Sequence, residues 1–219
     1  MTTRRNFLGL VGAGAALPAL HSSLLADDRL VPAPSSDWDM SWVKKLTGKH
    51  KLVLDAPELE GGVPLVRANV IGIQYTDVFG VPMSEVSRVL VLRHHGIHFA
   101  MNDTYWATYK VGADIGFTGP DGAAIAFNPV RIPRDIFPEP FRPLMLEPFQ
   151  QSGGIIVCCD LALRHLVVPR YTAAGMSPDA AYAAAKGDLL PGITLQPSGI
   201  FAVGVAQEAG CAMVPVSAA

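Results

Sequence analysis

Two short runs constrain this chain most: SRVLVLR at 87–93 and IIVCC at 155–159. Each is bounded too tightly for a long helix. Neither alternates apolar with polar as a strand with one wet face would, so each reads as a strand buried on both sides. Strands of that kind belong to parallel sheets, whose connections must cross a face of the sheet. HKLVLD at 50–55, ITLQ at 193–196 and the run at 211–216 read as further strands. Helical stretches fill the intervals. Val66, Val70 and Ile73 recur at helical spacing between Gly61-Gly62 and Gly80. A second helix is predicted over 100–111, a third over 144–152, and a fourth from Asp160 through Leu161, Leu163 and Leu166. Ser177-Pro178-Asp179 supplies an N-cap, a first-turn proline and a first-turn acid for an Ala-rich helix ending at Gly187. One more helix spans 199–209. This alternation predicts an α/β domain: a mostly parallel sheet of about five strands, helices on both faces, joined by right-handed crossovers.

Two segments do not follow the alternation. Residues 27–48 contain VPAPSS at 31–36, which is linker chemistry, and continue into a short helix that would dock Trp38 and Trp42. Residues 116–143 hold the turn TGPDG and six prolines, which exclude regular helix and read as an irregular insertion or flap.

The amino terminus carries its own message. Thr3-Arg4-Arg5-Asn6-Phe7-Leu8-Gly9 is a twin-arginine signature, and an apolar, small-residue segment follows to Leu20. A charged region followed by an apolar one is the order of an export signal. Residues 1–26 are therefore expected to be a leader, with cleavage near Ala26, and residues 49–219 the domain itself. Export by this route puts the body in the periplasm. An uncleaved leader would be the chain's one membrane attachment. The net charge of −2 and the absence of a basic run with interleaved aromatics argue against nucleic acid as a partner. The three cysteines are an odd number, so at least one thiol is free, capped or paired to another molecule.

Sites in parallel sheets lie beyond the carboxyl ends of the strands. His94 and Cys158-Cys159 fall at two such ends. Cys159 sits where a strand gives way to a helix, whose amino end carries partial positive charge and unsatisfied amides. A thiolate there would serve as nucleophile, sulfur carrier or metal ligand. Asp160 opposes it by charge, and a space-filling core cysteine is the plainer alternative. Cys158 alternates to the other face and reads as core, as does Cys211, with a resolving thiol the alternative for the latter. Arg93-His94-His95-Gly96-Ile97-His98 places three histidines within five residues. His94, His95 and His98 are thus candidate metal ligands, although their spacing matches no established zinc pattern. His165, in the helix after Cys159, is a candidate ligand-binding residue beside Asp160. Asn102 is another, or else a helix cap. No dinucleotide fingerprint, P-loop or nucleophile elbow is present, which counts against nucleotide enzymes and α/β-hydrolases and leaves any cofactor unknown.

The carboxyl third carries a resemblance. GIIVCCDLAL at 154–163, LLPGI at 189–193, PSGI at 197–200 and AQEAG at 206–210 resemble the ending of DsrE/DsrF-like proteins. The order of these pieces is a strand running into a cysteine, a Pro-Gly turn, a helix start and a close to the last strand. The stretches LTGKHKLVLDAPE at 46–58, VLRHHGIHFAMND at 91–103 and PSGIFAVGVAQEAGC at 197–211 also resemble an exported group with twin-arginine leaders. The resemblance implies a three-layer α/β/α fold, assembly as trimers or hexamers, and a cysteine at the position of Cys159 that carries sulfur as a persulfide. The expected function is a sulfur-relay or thiol-redox protein, with Cys159 and His94 as its chemistry and small sulfur species or a thiol protein as partners. The alternative is a non-catalytic oligomeric binding module, holding a metal, haem or small ligand on the cluster from His94 to His98.

Overall fold

The computed structural model describes residues 38–217. The expected leader (1–26) and the first part of the linker (27–37) lie outside the described residues. Five strands form one sheet: β1 His50–Ala56, β2 Val86–Leu92, β3 Ile155–Cys159, β4 Ile193–Gln196 and β5 Ala212–Pro215. Their order is β4-β3-β2-β1-β5, and every neighbouring pair is parallel. The fold is a three-layer α/β/α sandwich, as expected, with the sheet wholly rather than mostly parallel.

Crossover handedness explains the layers. From β1 to β4 the chain steps across the sheet in one direction, so right-handed connections all fall on one face. The helices there are α1 Val63–Phe79, α2 Asp103–Thr108, α3 Val111–Asp114, α4 Leu146–Gln151, α5 Asp160–Ala162, α6 Val168–Ala173 and α7 Pro178–Gly187. β5 returns to the far side of β1. The same handedness puts that last connection, α8 Gly199–Glu208, on the opposite face. Alternation along the strands follows suit. Leu52, Leu54, Leu90, Leu92, Ile156 and Cys158 enter the larger core, while Val53, Val89, Val91 and Val157 meet α8 and Trp42. Among the described residues, no helix is long and apolar enough to cross a membrane.

Caps fall where the residue types place them. Gly62 and Gly80 bracket α1 at positive φ (91° and 65°), a conformation that suits glycine. The Ser177 and Ser198 hydroxyls accept the Ala180 and Phe201 amides at 3.4 and 3.1 Å and start α7 and α8.

Two helices differ from expectation. On α1 the buried positions are Pro64, Leu65, Ala68, Asn69 and Gly72, whereas Ile73 is exposed. The inward stripe contains a polar and a small residue because each meets a specific partner. Asn69 donates to the carbonyls of Leu65 and Met145. A Cβ on Gly72 would stand 2.6 Å from the buried Arg88 guanidinium. The helix predicted over 100–111 is broken into α2 and α3, with Lys110 at φ 50° between them. The insertion accounts for this break: a Cβ on Gly112 would lie 2.2 Å from the Ile125 carbonyl oxygen, so insertion backbone rests directly on α3.

The insertion contains no regular helix or strand beyond one bridge, Thr118 to Ala124. It is fastened by Asn128, which donates to the carbonyls of Phe99 and Met101 at 2.8 and 2.7 Å, and by the Arg134–Asp103 pair at 3.0 Å. Ahead of β1, a 3-10 turn at Ser41–Lys45 buries Trp42 to 1% exposure under the α8 face, while Trp38 stays partly exposed.

Trp42 therefore anchors the segment that precedes the sheet. Trp42→Ala is expected to cost about 3–5 kcal/mol in urea denaturation. The buried indole N–H has no hydrogen-bond partner. Trp42→Phe should accordingly lose much less, because no polar contact disappears; equal losses would contradict this account.

Candidate functional site

The strand order decides where a site can form. β3 leaves the sheet toward α5 on one face, and its neighbour β4 leaves toward α8 on the other. Adjacent strands whose connections part in this way open a crevice at their carboxyl ends, where ligands bind in open α/β sheets. A cleft of about 340 Å³ occupies this place, lined by Arg93, His94, Cys159, His165, Ser198 and Gly199 among polar and small residues, and by Leu161, Ala162, Leu166 and Ile200. Larger depressions of about 570 and 670 Å³ lie elsewhere, and neither is lined by a cysteine or histidine.

Cys159 is the N-cap of α5. Its backbone is still extended (φ −91°, ψ 117°), and its sulfur accepts the Ala162 amide at 3.3 Å. The thiol thus does what a serine hydroxyl or carboxylate does at a helix start. Only 6% of the residue is exposed.

Arg93, directly after β2, supplies the fixed positive charge. Its Nε and Nη2 donate to the two oxygens of the buried Asp55 at 2.7 and 2.8 Å, a bidentate pair. That hydrogen bonding raises the guanidinium pKa above its ordinary value; burial opposes the rise, and the charges of Asp55, Cys159 and Glu58 add to it. The first turn of α8 closes onto the Arg93 stem. A Cβ at Gly199 would come within 2.4 Å of the Arg93 Cβ, so only glycine permits this approach. The amino end of α8 carries partial positive charge of its own.

His165 reaches the same cleft through a departure from α-helical geometry. Between α5 and α6 the chain forms a π turn, Leu163–Val167, in which the Val168 amide bonds back to the Leu163 carbonyl. Pro169 explains it: proline has no amide to give the carbonyl four residues earlier, at His165, and its ring crowds that carbonyl. The ladder slips by one residue, and His165 stays exposed in the widened turn.

The acid beside the thiol is tied off. Asp160 accepts the Arg164 Nε on one oxygen and the Tyr182 hydroxyl on the other, both at 2.6 Å. Arg164 also lies over the Tyr182 ring at 3.7 Å. Asp160 is thus a structural hub beside the cleft rather than one of its lining residues.

The histidines of 94–98 separate. His94 is exposed, has φ 48°, and pairs through Nδ1 with Glu58 at 2.6 Å. His95 stands edge-on to it, with ring centres 4.3 Å apart. His98 is buried; its Nδ1 meets the Tyr105 hydroxyl at 3.0 Å, and its carbonyl accepts the Trp106 indole N–H. His98 is withdrawn from solvent, with its ring centre 6.5 Å from that of His95, because a 3-10 turn over His94–Ala100 carries it into the core. Asn102 caps α2, accepting the Tyr105 amide and donating to Asp188, each at 2.8 Å. Of the residues singled out from sequence, the cleft gathers Cys159, His94 and His165.

All three cysteines are free. Cys158 is fully buried in the larger core, which pushes its thiol pKa far up. Cys211 lies under α8, and burial pushes it up to about 11. Neither lines the cleft. The insertion does not line it either, so it is no flap over Cys159.

Sequence reasoning missed Arg93, Glu58 and the first turn of α8 as parts of this region. Pro169 and Gly199 were the available signals, but their meaning depends on neighbours brought in by the fold. No protein-family model, curated protein or solved structure matches the chain.

Burial pushes the His98 imidazole down from 6.5 to about 3, helped by the nearby charges of Arg170 and His95. The unfolded chain holds more protons than the folded one between these values, so stability falls as pH drops below about 6.5 and keeps falling toward 3. Going from pH 7 to pH 5 should cost about 2 kcal/mol from this group, at about 1.4 kcal/mol per unit past 6.5. Urea titrations at both pH values check it, and His98→Gln should remove that share of the difference.

Proposed function

We propose that this chain is a DsrE-like sulfur-relay or thiol-redox protein of the periplasm, acting through Cys159. One observation carries the reading: the sulfur that caps α5 lines the crevice between β3 and β4, with an amide on it and Arg93, His94 and His165 around the same cleft. Cleft walls of Leu161, Leu166 and Ile200 suit an uncharged, polarisable sulfur species better than a sugar or nucleotide.

The step is a sulfur transfer. The Cys159 thiolate attacks the terminal sulfur of a donor persulfide, R–S–SH. A new S–S bond forms as the donor's S–S bond breaks, the donor leaves as the thiolate RS⁻, and Cys159 becomes Cys–S–SH. The proton lost by Cys159 ends on the departing thiolate, with the imidazole of His94 or His165 as carrier. The reverse reaction, onto an acceptor thiol, completes a relay. The homo-oligomer and the export implied by the sequence resemblance belong to the same proposal.

Mass spectrometry of the intact protein after polysulfide treatment tests it. Wild type and Cys211→Ser should each gain the mass of sulfur, and Cys159→Ser should gain none. No gain on wild type, or an equal gain on Cys159→Ser, overturns the proposal.

A further inference from the structure

The loops after β1 and β2 bring Glu58, His94 and His95 together. One ligand atom from each lies within 4.8 Å of the others. We propose that these three residues form a binding site for a first-row divalent transition-metal ion of the zinc type. The site does not depend on the chemistry of Cys159.

Several features build this cluster. Consecutive side chains ordinarily diverge, but His94 adopts a left-handed conformation at φ 48°, uncommon outside glycine. The chain then turns into a 3-10 helix, and the His94 and His95 rings end 4.3 Å apart. The turn is stitched to the loop that bears Glu58. The Arg93 amide donates to the Ala56 carbonyl and the Gly96 amide to the Pro57 carbonyl, at 3.3 and 2.9 Å. Gly96 is obligatory in this contact, since a Cβ there would stand 2.2 Å from the Ala56 oxygen. The ligands are thus mounted on two loops locked to each other, while their side chains remain free to adjust. A left-handed histidine held by its surroundings is the kind of backbone strain that gathers at functional sites.

The donor set selects the ion. Two imidazoles and a carboxylate suit zinc and its neighbours, whereas magnesium and calcium prefer oxygen alone. Bond lengths near 2.0–2.1 Å require ligand atoms about 3.3 Å apart in tetrahedral geometry. His94 Nδ1 and Glu58 Oε1 are hydrogen-bonded at 2.6 Å and would open to that spacing around the ion. The exposed His94 ring, the partly exposed His95 ring and the partly exposed Glu58 carboxylate reach the remaining spacing by small rotations. Three protein ligands leave a fourth position open, as in metal sites that bind a small molecule. His94 also lines the Cys159 cleft, so the ion sits at the rim of that cleft. His98, which sequence spacing would include, is replaced by Glu58.

The test is titration of metal-free, full-length protein with zinc(II) against a chromophoric chelator, and with cobalt(II) followed by its visible spectrum. One zinc per chain is expected. Glu58→Gln and His95→Ala should each weaken binding by at least about tenfold, the lower bound for disturbing even an outer partner of a bound metal. His165→Ala, outside the cluster, should leave the affinity unaltered. The cobalt spectrum should lack a sulfur charge-transfer band. Binding unchanged in Glu58→Gln and His95→Ala, loss of binding in His165→Ala, a sulfur band, or no stoichiometric binding at all would each overturn the site.

Discussion

The handedness of the β-strand crossover is the constraint on which this molecule depends. Three successive right-handed connections lay seven helices on one face of the sheet, and a reversal after β4 sends α8 to the other. That reversal closes the second core, where Trp42, Val53, Val91 and Val157 meet Ala202 and Ala206. It also opens the crevice between β3 and β4. The strand order that stabilises the domain and the gap that Cys159 lines are one and the same feature.

Charge is distributed around that crevice in closed pairs. Asp55 holds Arg93, Arg164 and Tyr182 hold Asp160, and Glu58 holds His94. Each acid has its own partner, so no carboxylate beside Cys159 stands unanswered. Arg93 occupies the middle of this arrangement. Its head is fixed by a buried carboxylate, its stem is covered by Gly199, and it lines the cleft. A preorganised cation of this kind acts on a nearby anion without reorganising when the anion forms.

Local irregularities cluster at the carboxyl ends of the strands. The left-handed His94, the 3-10 turn that follows it and the π turn that contains His165 all lie there. The departures have local physical causes, in Pro169 and in the close approach of Gly96 to Ala56, and they aim side chains that regular elements would have turned elsewhere.

The strands, most helix limits and the βα junction at Cys159 were legible in sequence because they rest on short-range rules: short apolar runs, glycine stops and serine caps. The buried face of α1 was not, because Asn69 and Gly72 point inward only to meet Met145 and Arg88, which are remote in sequence. The histidine cluster was half legible. Spacing joined His94 and His95 to His98, whereas the turn buried His98 and the β1 loop substituted Glu58. Sequence alone determined the alternation of elements and hence an α/β sheet. Only the tertiary structure decided the strand order, and with it which loops share an edge, because pairing between strands is set by long-range packing that no local pattern encodes.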